Sequence, residues 1–157
     1  CKRVNVLMGL VPEEITQQEA EHTFVHNLRL AADTFAPMGV TVMTEPCNQR
    51  DVPRYLASRT EHAIALLDLA ERPNLAIQFD FYHRQVTEGN LIEGFLSALP
   101  RIAHLQFADN PGRHEPGTGE IAYEHIFAAI DASGYTGWVG AEYRPSRETS
   151  STLHWMK

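Results

Sequence analysis

The chain has 157 residues, 43% of them hydrophobic, and a formal net charge of −7. This length suits one domain with a sizeable core, and the acidic balance argues against a nucleic-acid surface, which needs clustered positive charge. The apolar runs are far shorter than the roughly eighteen residues that span a bilayer, so we expect no membrane partner.

The order of apolar runs predicts strands that alternate with helices. The predicted strands are 4–10, 40–47, 74–82, 102–109 and 137–145, and the predicted helices are 22–39, 60–72, 90–101 and 123–135. Gly134 is the expected C-terminal cap of the last helix, and the tail 148–157 is predicted to form one short closing helix. This alternation predicts the α/β class, with a parallel sheet in a single domain over 1–157.

Four of the five predicted strands run into polar residues. The residues of interest, one near the carboxyl end of each of these strands, are Glu45, Asp80, Gln106 and Glu142. Because the carboxyl ends of parallel strands lie on one face, we expect these side chains to converge. Three carboxylates placed together repel one another, and a divalent cation resolves that conflict. Oxygen ligands favour a hard ion, so the pattern predicts Mg²⁺ or Mn²⁺.

A structural role is the alternative for each of these residues taken alone. An acidic residue at a strand end commonly caps the next helix or pairs with an arginine, and Asp51 and Glu120 fit such a role better than a ligand role. His83 fits a packed, hydrogen-bonded histidine equally well. Cys47 is most simply a small apolar residue.

Several kinds of chemistry are excluded by the residues present. Lysine occurs only at Lys2 and Lys157, so a Schiff-base lysine on a central strand is impossible. The sequence has neither a phosphate-binding GxxxxGK[ST] motif nor a GxSxG elbow. With only two cysteines and no recognisable signal peptide, we expect a cytoplasmic protein. Metal-assisted acid–base chemistry on a small oxygenated substrate remains.

Four segments together closely resemble the hydroxypyruvate isomerase family of the xylose-isomerase-like TIM barrels. They are TEPCNQRD, IQFDFYHRQ, HLQFADNPGRHEPGTGEI and GWVGAEYRP. The resemblance implies that Glu45, Asp80, Gln106 and Glu142 bind the metal, with Glu45 and Glu142 also forming the acid–base pair. It also implies that His83 and Arg113 contact substrate, with His114 and Asp51 as weaker candidates.

The implied reaction interconverts hydroxypyruvate and tartronate semialdehyde through an enediolate. It needs a base beside the α-carbon, a cation for the developing charge, and a partner for the substrate carboxylate, a task suited to Arg113. The alternatives are a 2-oxo-tetronate isomerase or sugar epimerase of the same superfamily, and a catalytically inactive interaction fragment. A DNA-repair endonuclease on this barrel is disfavoured by the negative charge. The expected partner is a small oxo acid, with a homo-oligomer as a further candidate assembly.

The predicted strands are too few for a whole (β/α)₈ barrel, which typically takes about 250 residues. We therefore expect a partial TIM barrel that corresponds to the carboxyl-terminal portion of the family. Roughly three amino-terminal βα units would be missing, while all four metal-ligand positions would be retained.

Overall fold

The computed structural model describes residues 1–156 and is built around one five-stranded sheet with the order β1-β2-β3-β4-β5. All neighbouring strands are parallel, and the sheet curls into half of a barrel wall. The strands are β1 (Arg3–Asn5), β2 (Thr41–Thr44), β3 (Leu75–Asp80), β4 (Ile102–Phe107) and β5 (Val139–Ala141). The predicted α/β architecture with five parallel strands is confirmed.

Helices connect the strands, as parallel pairing requires. They are α1 (Gln17–Phe35), α2 (Thr60–Ala70), α3 (Phe81–Thr87), α4 (Leu91–Ala98) and α5 (Tyr123–Ala132). Short 3₁₀ turns follow α1 at Ala36–Met38 and α4 at Leu99–Arg101. Within residues 1–156, none of the helices combines the length and the apolarity needed to cross a membrane.

Strand β3 shows how the sheet separates its core face from its polar face. All six of its residues are buried. Ile77 and Phe79 belong to the apolar core beneath the helices, where the Phe79 ring lies 6.2 Å from that of Phe95 on α4. Because side chains alternate along a strand, Gln78 and Asp80 point to the opposite, concave face. The sheet therefore places a buried polar layer on its concave side.

The first strand and first helix differ from the predicted bounds. Only Arg3–Asn5 pairs with β2, whereas a strand over 4–10 was predicted. Beyond Val6 the chain leaves the sheet and turns at Gly9, whose φ is +79°. Helix α1 begins at Gln17 instead of residue 22. A capping box explains the earlier start: Glu19 N donates to Thr16 Oγ1, and Thr16 N donates to the Glu19 carboxylate.

Two further predictions about local structure were wrong. Helix α3 was not predicted, because the apolar run through Phe81 reads as a continuing strand. Asp80 ends that strand by accepting hydrogen bonds from the backbone N–H groups of Tyr82 and His83. The tail forms two 3₁₀ turns, Thr149–Thr152 and His154–Met156, instead of one helix, and Lys157 lies outside the described residues.

Candidate metal centre

Three carboxylates converge at the carboxyl-terminal edge of the sheet. Glu45 follows β2, Asp80 ends β3, and Glu142 follows β5. Each offers one oxygen, and these three oxygens all lie within 4.8 Å of one another. The parallel register accounts for the convergence, since Asp80 pairs with Gln106 on β4 and Gln106 pairs with Gly140 on β5. Residues that are far apart in sequence thus form one oxygen-rich cluster.

Glu45 is the most deeply buried glutamate of the cluster and is held through only one of its oxygens. Oε2 accepts hydrogen bonds from Gln78 Nε2 at 2.7 Å and Asn5 Nδ2 at 3.1 Å. Oε1 is buried and has no hydrogen-bond partner among residues 1–156. Burial, followed by the charges of Asp80 and Glu142, raises the pKa of Glu45 to about 8. An unpartnered buried oxygen is costly, and a bound cation would satisfy it.

Asp80 is fixed on one side by the start of α3. Its Oδ1 accepts a hydrogen bond from Tyr82 N at 2.7 Å, which leaves Oδ2 facing the cluster. Burial raises the pKa of Asp80 to about 6, although the nearby Arg113 guanidinium and the Tyr82 N–H act in the opposite direction. The same residue therefore both caps a helix and supplies an oxygen to the site.

Arg113 is the positive charge nearest the carboxylates. Its Nη2 lies 2.5 Å from Glu142 Oε2 and 3.5 Å from Asp80 Oδ2. The guanidinium also lies 5.1 Å from the centre of the Tyr82 ring, a cation–π contact that orients it. Within residues 1–156, one guanidinium therefore faces three carboxyl groups, which can carry more negative charge than it offsets.

Gln106 and Gln78 complete the polar layer beneath the carboxylates. Gln78 Nε2 donates to Gln106 Oε1 at 2.5 Å as well as to Glu45. Gln78 thus links two of the predicted ligands, a role that the sequence analysis missed. The available signal was its position two residues before Asp80, which puts both side chains on the same face of β3. With its amide and carboxylate oxygens, the donor set fits a hard divalent cation.

The predicted substrate-contact residues differ in where they lie. His83 is buried, with its Nε2 4.0 Å from Glu45 Oε1. Burial, with a contribution from Arg113, lowers the pKa of His83 to about 4. His114 donates through Nδ1 to the Arg144 carbonyl at 2.6 Å. Asp51 Oδ2 accepts from Tyr82 Oη at 2.5 Å. The structure therefore brings His83 and Arg113 to the carboxylates, whereas His114 and Asp51 make internal contacts.

A second cluster of ligand-type atoms shares Glu45 with the carboxylates. Glu45, Cys47 and His83 each offer one atom, and these atoms also lie within 4.8 Å of one another. Burial, followed by the Glu45 charge, raises the pKa of the Cys47 thiol to about 12. The thiol would have to lose this proton in order to bind a soft metal.

The loop after β4 forms the rim of the site and is organised around the buried carboxylate of Asp109. Asp109 is fully buried, and its Oδ2 accepts from the backbone N–H groups of Gly117, Thr118 and Gly119 at 2.9 to 3.1 Å. Its Oδ1 accepts from two further backbone N–H groups. The backbone N–H groups of this Gly-Thr-Gly element thus bind the Asp109 carboxylate, an anion from the same chain. This arrangement holds the rim that carries Arg113.

Comparisons with known proteins extend these observations. The family model of the xylose isomerase-like TIM barrel matches residues 1–157. A 2-oxo-tetronate isomerase from Pectobacterium atrosepticum is 43% identical over 157 residues, which cover 100% of this chain and 60% of that protein. Hydroxypyruvate isomerase from Escherichia coli K12 is 41% identical over 155 residues, which cover 99% of this chain and 60% of that protein.

A solved structure gives the same picture. The crystal structure of a family 2 AP endonuclease from Brucella melitensis has a TM-score of 0.95 and 38% sequence identity, with coverage of 99% of this chain and 60% of that chain. The present chain thus spans about 60% of the length of the curated relatives described above.

Proposed function

The chain belongs to the xylose isomerase-like TIM-barrel family, and on that premise we propose that it is a metal-dependent isomerase acting on a small oxo acid. The proposed reaction interconverts hydroxypyruvate and tartronate semialdehyde. One observation carries the proposal: three carboxylate oxygens lie within 4.8 Å of one another, and the buried Oε1 of Glu45 has no hydrogen-bond partner in the described part of the chain. The names of the curated relatives support the same class of reaction.

The proposed ligands of the cation are Glu45, Asp80, Gln106 and Glu142. The bound Mg²⁺ or Mn²⁺ would polarise the substrate carbonyl and stabilise the oxygen charge that develops as the enediolate forms. Arg113 would then be needed less as the counter-charge of Asp80 and Glu142. Its planar, bidentate guanidinium is suited to holding the substrate carboxylate.

The proposed proton transfer moves one hydrogen between adjacent carbons. A base removes a proton from C3 of hydroxypyruvate, and the resulting enediolate is protonated at C2 to give tartronate semialdehyde. Glu45 and Glu142 are the proposed acid–base pair. They differ in environment, since the Glu45 side chain is 6% exposed whereas the Glu142 side chain is 51% exposed.

Metal binding is tested by isothermal titration with Mn²⁺. We expect Glu142→Gln, which keeps the shape but removes one charge, to weaken Mn²⁺ binding at least about tenfold, or 1.4 kcal/mol. Glu124→Gln, on the exposed surface of α5, is the matched control and should bind as the wild type does. Equal affinities for wild type and Glu142→Gln would remove the proposed metal centre.

The substrate is tested by proton NMR in D₂O with Mn²⁺ present. An active isomerase should exchange the C3 hydrogens of hydroxypyruvate for deuterium, and Glu45→Gln should abolish this exchange. The main alternative is a 2-oxo-tetronate isomerase, which the 43% identity to such a relative supports. Running 2-oxo-tetronate in parallel decides between the two substrates. Exchange with neither would favour an interaction role without catalysis.

A further inference from the structure

The ring of His83 has hydrogen-bond partners that determine which of its nitrogens holds the proton. His83 is 3% exposed, and its Nδ1 lies 3.2 Å from the backbone N of Asn48 and 2.7 Å from Asn48 Nδ2. A backbone N–H group can only donate, so Nδ1 must be the acceptor. In a neutral imidazole, the proton then resides on Nε2.

The orientation of the Asn48 amide is fixed independently. The backbone N of Asp51 lies 2.8 Å from Asn48 Oδ1, and because this N–H can only donate, the amide oxygen must face it. The amide NH₂ therefore faces His83, and it also lies 3.2 Å from Asp51 Oδ2. Asn48 is fully buried, so water does not compete for these contacts. Two donors from one residue thus converge on Nδ1.

The other ring nitrogen faces the carboxylate cluster. Nε2 of His83 is 4.0 Å from Glu45 Oε1, the buried oxygen without a hydrogen-bond partner among residues 1–156. A metal ligand or a general base needs a lone pair on the nitrogen that faces the site. The arrangement around Asn48 places a proton there instead.

We propose that Asn48 is a positioning residue that fixes His83 as the Nε2–H tautomer, so that this imidazole presents a hydrogen-bond donor to the site. It follows that the Glu45–Cys47–His83 cluster is not a metal site, since its histidine faces the cluster with an N–H group. The further step, in which His83 Nε2–H stabilises oxyanion charge on a bound oxo acid, rests on the proposed function. The tautomer itself does not.

The tautomer is measured directly by long-range ¹H–¹⁵N NMR of the histidine rings in the wild-type chain at pH 7, with His83→Gln used to assign the signals. We expect an Nε2–H population in about tenfold or greater excess, because the opposite tautomer sets Nδ1–H against two buried donors. A protonated Nδ1 in the wild type, or equal populations, would overturn the inference whatever the variants show.

The role of the Asn48 side chain is tested by Asn48→Asp, which replaces the amide donor with an acceptor of the same shape. We expect the Nδ1–H population to rise in this variant, because the carboxylate accepts that proton and only the backbone donor of residue 48 opposes it. If the carboxylate of Asn48→Asp prevents folding, Asn48→Ala provides the test instead. Asn48→Ala should reduce the excess of the Nε2–H tautomer, because only the backbone donor remains. Asp51→Asn, which leaves both Nδ1 donors in place, is the matched control. Unchanged tautomers in both Asn48 variants would show that the side chain does not fix the ring.

Failure of this inference and failure of the proposed function can be told apart. The NMR measurement requires neither metal nor turnover, whereas the proposed function is tested by Mn²⁺ titration and by hydrogen exchange in the substrate. An Nε2–H tautomer without substrate exchange would refute the isomerase and leave the inference standing. Hydrogen exchange in the substrate together with a protonated Nδ1 would refute the inference and leave the isomerase standing.

Discussion

Replacing Asp109 with asparagine should be among the most destabilising isosteric changes in this chain. The carboxylate is fully buried and accepts five backbone hydrogen bonds, three at Oδ2 and two at Oδ1. An asparagine amide has one oxygen and one NH₂ group. Whichever way it is placed, its NH₂ faces at least two backbone N–H groups, which then have no acceptor.

The expected loss follows from those unsatisfied groups. A buried donor without an acceptor costs about 1–3 kcal/mol, so two of them amount to about 2–6 kcal/mol. We expect a loss of about 4 kcal/mol in the free energy of unfolding, a large fraction of the 5–15 kcal/mol that is typical of a domain. Gly119→Ala probes the same loop sterically, because a Cβ atom there would lie 2.2 Å from the Asn110 carbonyl oxygen.

Urea unfolding followed by far-ultraviolet circular dichroism measures this loss. Asp131→Asn is the matched control, since it makes the same charge change at an exposed position on α5, and its stability should stay within about 0.5 kcal/mol of the wild type. A loss below about 1 kcal/mol for Asp109→Asn would contradict this prediction. It would mean that the five N–H groups find other acceptors or do not depend on the carboxylate.

Two further predictions concern the rim and the polar layer. Burial opposes the ionised form of Glu115, but hydrogen bonds from Ser146 Oγ and N outweigh burial and lower the pKa of Glu115 to about 2. The ionised carboxylate therefore stabilises the fold fully above its ordinary pKa near 4.5, and this contribution is lost as the pH falls toward 2. Urea midpoints between pH 5 and 2 should therefore fall more steeply for wild type than for Glu115→Gln, and parallel curves would contradict this assignment. Gln78→Ala removes the amide group that donates a hydrogen bond to Glu45. This variant should bind Mn²⁺ about 10–100-fold more weakly by titration calorimetry. The control variant Gln85→Ala should bind Mn²⁺ as the wild type does. Unaltered Mn²⁺ affinity in Gln78→Ala would show that Glu45 does not need the hydrogen bond from Gln78.

The sequence was sufficient to predict the convergence of the site, for a simple geometric reason. In a parallel sheet all carboxyl ends share one edge, so a polar residue after each apolar run must lie near the others. Glu45, Asp80 and Glu142 follow that rule and supply oxygens within 4.8 Å of one another. Their roles as metal ligands and acid–base groups remain predictions for the titrations above.

The local structure around the site was harder to predict because single residues act in two ways. Asp80 reads as the end of a strand, yet its carboxylate also starts α3 by accepting backbone N–H groups. The run from Ile77 to Tyr82 is apolar at most positions, and periodicity alone does not separate a continuing strand from a short helix. A helix of one or two turns that begins on a strand residue leaves little pattern to detect.

The rim loop was unpredictable in detail because its contacts involve backbone groups. Asp109 appears in the sequence as one of several charged residues between glycines and prolines. Its five partners are backbone N–H groups, whose positions depend on the conformation of the whole loop. Gln78 was missed for a different reason, since a buried strand is expected to be apolar on both faces. Its amide is tolerated there because Glu45 and Gln106 accept its hydrogens.

The carboxylate cluster is costly for the folded chain to hold without a counter-charge. Burial and mutual repulsion raise the pKa values of Glu45 and Asp80, which means that the folded chain disfavours their charged forms. Arg113 offsets part of that charge, and Gln78 donates to one oxygen of Glu45, whereas the other oxygen has no hydrogen-bond partner within residues 1–156. Any group that supplies positive charge at this point binds the folded state in preference to the unfolded one and stabilises it. An arrangement that is unfavourable by itself is therefore consistent with a site shaped for a cation.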